Sequence, residues 1–332
     1  MTTVLDSLNN GLREALESDP RVMLLGEDIL DPYGGAFKVT RGLSSEFPER
    51  VLSTPISEAG ITGVAAGMAL RGMRPVVEIM FGDFLTLAAD QLINQAAKFR
   101  WMYNDGVAVP MVVRTPMGGR RGYGPTHSQT LEKHFLGVPG LRVLAPTHFG
   151  DPGELLMQAI FRSNDPVLFV ENKLLYLLPL WEEDGELERS SMQAGGTPVY
   201  RLRVRGAPPA TLTICAYGYM AELARQAMVR LAYEQEVFAE LVVLTQLSPF
   251  DTEVIIDSVR RTGRILAVEE GGLSLGWGAE ILARVAESLG HAVKSAKRVA
   301  AVDLPVPASA ALEPAVLPGV DQIVQAAVEG NP

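Results

Sequence analysis

The chain has 332 residues, of which 47% are hydrophobic and 20% charged, and its net charge is −10 at pH 7. An acidic surplus of this kind disfavours binding that depends on neutralising phosphates, so nucleic acid is not an expected partner. The single cysteine, Cys215, excludes disulfides within the chain, and no apolar stretch is long enough to span a membrane, so no membrane partner is expected either.

Short apolar runs alternate with helix-length segments in the first half of the chain, and this alternation predicts a parallel sheet with helices on its faces. The expected strands are residues 22–25, 76–80, 111–114, 143–145 and 167–170, and the expected helices are residues 5–16, 58–70, 84–103 and 152–161. The first helix is amphipathic and acidic, unlike a basic targeting segment, and the chain has one cysteine. We therefore expect a reducing, cytoplasmic compartment.

The second half repeats this style after residues 181–198, an acidic stretch with paired glycines that predicts an exposed linker. The expected strands are residues 211–216, 237–244 and 265–268, and the expected helices are residues 220–233, 252–261 and 278–288. The proline-rich residues 305–318 predict an extended segment laid on a surface. A chain of this length can bury two cores, so two α/β domains with mainly parallel sheets are expected.

The predicted helix over residues 58–70 begins with a carboxylate, Glu58, and is otherwise built of small and apolar residues. Gly60, Gly63 and Gly67 fall on nearly one face, and each costs about 1 kcal/mol relative to alanine, which close approach of another backbone or of a flat ligand would explain. Two interpretations of Glu58 stay open on these residues alone. Either Ser57 caps the helix and Glu58 favours its positive end, or Glu58 occupies a dry pocket and serves a ligand.

Nine short runs occur in one order along nearly the whole chain. They are Gly26-Glu27-Asp28, Gly34-Gly35-Ala36-Phe37-Lys38-Val39-Thr40, Thr54-Pro55-Ile56-Ser57-Glu58, Arg74-Pro75-Val76-Val77-Glu78, His127-Ser128-Gln129, Pro139-Gly140-Leu141, Leu247-Ser248-Pro249-Phe250-Asp251, Gly276-Trp277-Gly278-Ala279-Glu280-Ile281 and Pro305-Val306-Pro307. Together they resemble the beta subunit of the thiamine-diphosphate-dependent 2-oxo acid dehydrogenase component, the group of the pyruvate and branched-chain enzymes. The resemblance implies a transketolase-like pyrimidine-binding domain over residues 1–180, the linker over 181–198, and a transketolase C-terminal-type domain over 199–332.

The resemblance also implies roles for individual residues. The glutamate that matches Glu58 bonds to ring nitrogen N1′ of the cofactor's aminopyrimidine, which helps a neighbouring nitrogen take the proton from thiazolium C2. His127 matches a histidine that faces the cofactor and moves protons during acyl transfer to a lipoyl group. Phe84 matches an aromatic residue that packs on the aminopyrimidine, and Met80 matches the wall of the same pocket. On the residues alone, His127 also fits a structural loop histidine, and Phe84 also fits an ordinary core position.

Metal sites follow from the same resemblance. A stretch that matches Ala159, Ile160, Arg162 and Asn164 holds a monovalent cation such as K⁺ through backbone oxygens in some members, although Arg162 stands where those members often carry an acid. Enzymes of this type hold Mg²⁺ and the diphosphate with Gly-Asp-Gly and a later pair of asparagines. This chain has no Gly-Asp-Gly, so no Mg²⁺ ligand is expected in it, and Mg²⁺ is assigned to a partner chain.

The implied enzyme is a heterotetramer of two alpha and two beta subunits that shares thiamine diphosphate between them. It would decarboxylate a 2-oxo acid and reductively acylate a lipoyl group, with a lipoyl acyltransferase core or another lipoyl or acyl carrier as a further partner. The missing partner chain would supply much of the substrate pocket, so the sequence does not identify the 2-oxo acid.

Two departures from the family pattern keep related functions open. Gly137 stands where the family often has a histidine, and Val243-Leu244-Thr245 replaces a frequent Asp-Leu-Arg run. The alternatives are a related thiamine-dependent heteromer, either acetoin-cleaving or biosynthetic and acyl-transferring, and a noncatalytic scaffolding paralogue. The presence of Glu58 and His127 argues against the last of these.

Overall fold

The computed structural model describes residues 1–183 and 185–329. They form two compact units, of which the first contains Met1–Gly118 and His134–Leu180. The second contains Gly119–Lys133 together with the described residues from Trp181 onward. The sequence placed residues 119–133 in the first domain, but their contacts to residues far along the chain place them in the second unit. The domain limits of 1–180 and 199–332 stay a prediction.

The first unit contains a fully parallel sheet, as the alternating pattern predicted. Its strands are β1 (Val22–Gly26), β2 (Val51–Ser53), β3 (Arg74–Glu78), β4 (Val112–Met117), β5 (Arg142–Leu144) and β6 (Val167–Asn172). They lie in the order β5-β6-β4-β3-β1-β2. Every residue of β4 is buried, as expected for a strand covered by helices on both faces.

The α-helices of the first unit agree with the sequence except for the short helix Leu43–Glu46, which was not expected, and for the region of residues 84–103. They are α1 (Val4–Ser18), α2 (Leu43–Glu46), α3 (Glu58–Leu70), α4 (Leu85–Asp90), α5 (Ala97–Met102) and α6 (Pro152–Arg162). The single helix expected over residues 84–103 is wrong, because a π-helical stretch, Gln91–Ala96, separates α4 from α5. The Ala97 N–H donates to the Leu92 carbonyl, five residues back, and such a wide turn leaves the hydrophobic periodicity of the sequence almost unchanged.

The second unit contains a mixed sheet. Its strands are β7 (Leu187–Ala194), β8 (Thr197–Val204), β9 (Leu212–Ala216), β10 (Ala239–Leu244), β11 (Gln246–Ser248), β12 (Arg264–Gly272) and β13 (Ser295–Ala301). Six of them form a sheet in the order β13-β12-β9-β10-β8-β7. The first four strands are parallel to one another, β8 is antiparallel to its neighbour β10, and β7 is antiparallel to β8. Its helices are α7 (Gly218–Gln235), α8 (Glu253–Thr262), α9 (Trp277–Leu289), α10 (Glu313–Val316) and α11 (Val320–Val328).

The expected linker over residues 181–198 is wrong over most of its length, because β7 and the start of β8 lie within it. Gly195 and Gly196 have φ of +58° and +82°, and they join the two strands as a hairpin turn with Ala194 opposite Thr197. Paired glycines are as typical of a hairpin as of a linker, and the mostly exposed middle of β7 has the polar composition that suggested a linker. Residue 184 of this stretch and residues 330–332 lie outside the described residues.

Two further observations complete the fold. The short helix α10 interrupts the extended segment expected over residues 305–318, and it carries a proline in its first turn, where the missing N–H costs nothing. In the described part of the chain, no helix combines the length and the apolar character that crossing a membrane requires.

Candidate functional site

Glu58 is the first residue of α3, and its side chain is buried. Ser57 caps this helix, because its hydroxyl accepts the Gly60 N–H at 3.3 Å. The cap interpretation is therefore right for Ser57, but a cap alone does not require the neighbouring carboxylate to be removed from water. Burying a carboxylate is unfavourable unless it gains a partner, and the cap formed by Ser57 does not explain the burial of Glu58.

A second buried carboxyl, Glu27, lies beside Glu58. It follows β1 directly, and it accepts a hydrogen bond from the Ser57 N–H. Burial raises the pKa of Glu27, and the negative charge of Glu58 raises it further. Its Oε1 atom has no hydrogen-bond partner among the described residues. The pair therefore keeps one proton more readily than two separate carboxylates would, and it has an unused polar atom for a ligand group.

Sequence reasoning quoted Glu27 as part of a motif but did not assign it to the site. A signal for it was present, since it lies immediately after a buried parallel strand. Side chains at the carboxyl ends of parallel strands meet at the edge of the sheet where ligands bind in this class of fold.

Phe84 and Met80, the two predicted pocket residues, are both half-buried. Phe84 ends a short 3₁₀ helix, Gly82–Phe84, and its ring packs edge-on against Phe81 with centroids 5.8 Å apart. Phe81 in turn packs against Phe37 at 5.6 Å. Phe84 is therefore part of an aromatic group and is not sealed in the core, which leaves ring surface that a flat heterocycle could cover.

The glycine face of α3 is largely open within this chain. Among the described residues, a Cβ placed at Gly67 would have no neighbour within 4 Å, and one placed at Gly63 would meet the Gln91 side chain at 3.2 Å. Val64, on the same helix, is 59% exposed. Part of this face is therefore open at Gly67 and Val64, whereas Gly63 lies against Gln91 of the same chain.

A buried ionic cluster joins the carboxyl ends of β3 and β6 to the middle of β4. Arg114 donates from Nε and Nη2 to the two oxygens of Glu171 at 2.9 and 2.6 Å, and from Nη1 to Glu78. The Tyr176 hydroxyl donates to Glu171 Oε2 at 2.5 Å. Burial raises the pKa of Glu78, while the charge of Arg114 opposes that rise. The cluster fixes the strand ends that precede the aromatic group described above.

His127 lies in the second unit, whereas Glu58, Met80 and Phe84 lie in the first. It is half-buried, its Nδ1 lies 3.0 Å from the Thr126 hydroxyl, and its N–H donates to the Gly124 carbonyl at 3.3 Å. The local turn thus fixes the backbone of this histidine and one side of its ring. A histidine held in this way can serve proton transfer from its other ring nitrogen.

Three buried glutamates surround the ends of the segment that carries His127. The Tyr217 hydroxyl donates to Glu132, and Glu269 accepts the N–H groups of Trp277 and Gly278 at 2.8 and 2.9 Å. Burial raises the pKa of Glu132, and burial together with the charge of Glu132 raises the pKa of Glu269 to about 7. The third glutamate, Glu270, pairs with Arg120.

The stretch predicted to bind a monovalent cation does not fit that role well. Arg74 donates from Nη1 to the Ile160 carbonyl at 2.5 Å, so a guanidinium already occupies one of the oxygens that the cation would need. The Asn164 carbonyl accepts the Val109 N–H at 2.9 Å, and Arg162 is exposed. A cation here would share its oxygens with protein donors, one of them positively charged.

The chain is similar in sequence and fold to proteins of one family. The family model "Transketolase, pyrimidine binding domain" matches residues 2–178, and the model "Transketolase, C-terminal domain" matches residues 205–323. A solved structure described as "Split gene transketolase, inactive beta4 tetramer" superimposes with a TM-score of 0.74 over 98% of this chain and 97% of that chain. It is 21% identical, so it supports the fold alone. The predicted fold class is confirmed.

Three relatives indicate the chemistry of this group. A "Pyruvate dehydrogenase E1 component subunit beta-2, mitochondrial" of Oryza sativa subsp. japonica is 41% identical and covers 98% of this chain and 85% of the relative. A "Pyruvate dehydrogenase E1 component subunit beta" of Leifsonia xyli is 38% identical and covers 97% and 92%. An "Acetoin:2,6-dichlorophenolindophenol oxidoreductase subunit beta" of Cupriavidus necator is 37% identical and covers 97% and 95%.

Proposed function

The chain belongs to the family of beta subunits of the thiamine-diphosphate-dependent 2-oxo acid dehydrogenase component, and we propose that it is such a subunit in a heteromeric enzyme. That enzyme decarboxylates a 2-oxo acid and reductively acylates a lipoyl group. The observation that carries the proposal is Glu58, a buried carboxylate at the start of α3 beside a second buried carboxyl, Glu27.

The proposed cofactor is thiamine diphosphate, shared with an alpha subunit. When bound, it supplies the electron sink that decarboxylation of a 2-oxo acid needs. Glu58 would hold a proton at N1′ of the aminopyrimidine. Burial and then the charge of Glu58 raise the pKa of Glu27, so Glu27 keeps its proton more readily than an exposed glutamate would.

The remaining site residues have proposed roles around the same cofactor. Phe84 would pack on the aminopyrimidine, since its ring is only half-buried beside Phe81. Met80, also half-buried, would line the pocket wall. His127 would donate or accept a proton during acyl transfer, which its fixed, half-buried ring supports. A K⁺ ion near Ile160 would compete with Arg74, which donates a hydrogen bond to the Ile160 carbonyl. No step of the proposed reaction depends on this ion.

The proposed partners are an alpha subunit that carries the Mg²⁺ and diphosphate motif, a second beta subunit in a heterotetramer, and a lipoyl acyltransferase core. The open glycine face of α3 and the exposed Val64 support packing of another chain near Glu58. We also propose a cytoplasmic location. The buried thiol of Cys215 is compatible with a reducing compartment, whereas the plant relative carries "mitochondrial" in its name.

An acetoin-cleaving heteromer is the second candidate, favoured by the Cupriavidus necator relative and by Gly137. Gly137 has φ of +73°, a backbone conformation in which a histidine would be strained. Acceptor chemistry that depends on a histidine at this position would then be altered. Assaying the reconstituted enzyme with pyruvate and with acetoin separates the two candidates.

The experiment that tests the proposal is Glu58→Gln in the enzyme reconstituted with its alpha subunit. The variant is expected to assemble and to bind cofactor, but exchange of the thiazolium C2 proton, followed by NMR, is expected to slow by ~10²-fold or more. Glu253→Gln is the matched control, because Glu253 is also the first residue of a helix but is exposed. An exchange rate equal to that of the unaltered enzyme would refute the role of Glu58.

A further inference from the structure

Two buried glutamates of the second unit hold the start of the segment that carries His127. Glu270, in β12, accepts the Gly119 N–H at its Oε1 atom at 2.8 Å. Glu313, the first residue of α10, accepts the Arg120 N–H at 3.0 Å and the Gly122 N–H at 3.3 Å. Both side chains are 4% exposed, so these carboxylates have given up water for the backbone of this turn.

The side chain of Arg120 ties the same turn to the end of the chain. It donates from Nη1 to Glu270 and from Nη2 to the Pro318 carbonyl. A Cβ placed at Gly119 would come within 2.5 Å of Leu317 Cδ1, so the turn lies directly against the segment that contains α10. The turn is therefore built to fit this surface, and Glu313 is its central acceptor.

The far end of the segment is held as well. Glu132, fully buried, accepts the Tyr217 hydroxyl, and Lys133 donates from Nζ to the Ser274 carbonyl at 2.8 Å. His127 thus lies between two anchored ends. A shift at either end is transmitted to the imidazole, because few residues separate it from the anchors.

We propose that Glu313 is a positioning residue that sets the place of the His127 imidazole for acyl transfer. The inference rests on the proposed function, since it concerns the step assigned to His127. Glu313 is the informative anchor because one oxygen, Oε1, accepts both N–H groups. Glutamine can present an oxygen at the same place, whereas alanine removes the acceptor and leaves two donors without it.

The experiment compares Glu313→Ala with Glu313→Gln in the reconstituted enzyme. Two rates are measured on each preparation: acylation of lipoamide, and decarboxylation with an artificial electron acceptor. Misplacement of a catalytic group by about 1 Å costs up to ~10²-fold, so Glu313→Ala is expected to lower acylation by roughly 10- to 100-fold and decarboxylation by less than about threefold. Glu313→Gln is expected to stay within about threefold of the unaltered enzyme in both assays.

A matched control and a double variant separate positioning from general damage. Glu240→Ala removes another buried carboxylate of the same unit, one that pairs with Arg261, and is expected to change the two rates equally if at all. If Glu313 acts through His127, adding Glu313→Ala to His127→Ala is expected to lower acylation less than about twofold further, since coupled residues are not additive. Where the alanine variant fails to assemble, Glu313→Asp, shorter by one methylene, is expected to show the same selective loss in smaller measure.

The outcomes distinguish this inference from the proposed function. Any of three results would overturn the positioning role. The losses in acylation rate could multiply fully in the double variant, Glu313→Ala could lower both rates equally, or Glu313→Gln could lower acylation as much as Glu313→Ala does. If His127→Ala lowers acylation and Glu313→Ala does not, the positioning role alone fails. If His127→Ala acylates lipoamide at the unaltered rate, the role of His127 fails and the positioning role fails with it.

Discussion

Each unit of this protein buries a pair of carboxylates, one of which accepts a hydrogen bond from a tyrosine hydroxyl, but the two pairs are neutralised differently. In the first unit, Arg114 supplies a positive charge to both Glu78 and Glu171. In the second unit, Glu132 and Glu269 receive only hydroxyl and backbone N–H donors from the groups described here. The first pair is thus an ion cluster around a buried arginine, whereas burial in the second pair favours the protonated form.

The burial of a carboxylate and the presence of a counter-charge beside it are therefore independent of each other in this protein. Burial raises the pKa of Glu78 and of Glu132 alike, but the cation that opposes the rise is the buried Arg114 for Glu78 and the half-buried Lys133 for Glu132. A carboxyl pair without a buried cation couples its unit to pH, whereas a pair with one depends on that cation. Removal of Arg114 is therefore expected to destabilise the first unit, whereas the stability of the second unit is expected to vary with pH.

Arg114→Met is expected to have the largest effect. It leaves Glu78 and Glu171 buried without a counter-charge, and breaking a buried pair costs about 3–5 kcal/mol. Chemical denaturation that monitors the first unit measures the loss. Arg100→Met, at a largely exposed ion pair with Asp105 and Asp165, is the matched control and is expected to cost less than about 1 kcal/mol. A loss below 1 kcal/mol for Arg114→Met would show that the cluster is not desolvated.

The second unit is expected to lose stability as pH rises from about 4.5 to about 7. The folded-state pKa of Glu269 is raised to about 7, so the folded state binds its proton more tightly than the unfolded chain does. The stabilisation is then fully present below the unfolded pKa and is lost as pH rises through the folded one, at no more than about 1.4 kcal/mol per pH unit for one group.

Glu269→Gln is expected to flatten this dependence, because an amide does not titrate. Denaturation midpoints measured at half-unit intervals of pH give the slope. Glu280→Gln, at an exposed position in α9, the helix whose first N–H groups Glu269 accepts, is the control and is expected to keep the slope of the parent. An unchanged slope in Glu269→Gln would assign the pH dependence to another group.

The smallest expected effects come from the two tyrosines. Tyr217→Phe leaves a buried oxygen of Glu132 without its donor, which costs about 1–3 kcal/mol. Tyr176→Phe removes the matching hydroxyl from Glu171, which keeps both bonds to Arg114, so a cost of only about 0.5–1.5 kcal/mol is expected. Measuring both variants at pH 7 tests the contrast directly, and a reversed order would contradict it.

The sequence predicted those features that depend on neighbours along the chain. The bounds of α3 follow from Ser57 as its cap and from the small-residue pattern. The apolar runs predicted where most of the strands lie along the chain. The placement of Glu58 at a helix start was likewise local information. Its burial and its proximity to Glu27 follow from the pairing of parallel strands, which a single sequence does not specify.

Contacts between distant residues could not be predicted. The bonds from Glu270 and Glu313 to the turn at Gly119 join residues more than 150 positions apart, and no motif marks them. Gly195 and Gly196 were compatible with both a linker and a hairpin, and the exposed side chains of β7 favoured the wrong alternative. The site role of His127 stays a prediction, because its place in a glycine-rich loop is local information, whereas the residues that anchor the loop are distant in the chain.

The assignment of Gly119–Lys133 to the second unit has a consequence for synthesis on the ribosome. His127 leaves the ribosome long before Glu270 and Glu313, the residues that hold its turn. At ~5–20 residues per second, the delay before Glu313 is made is on the order of 10–40 s. During that interval the nascent chain carries the segment without its final contacts, so early termination or slow translation of the last third would leave this loop as a target for proteases.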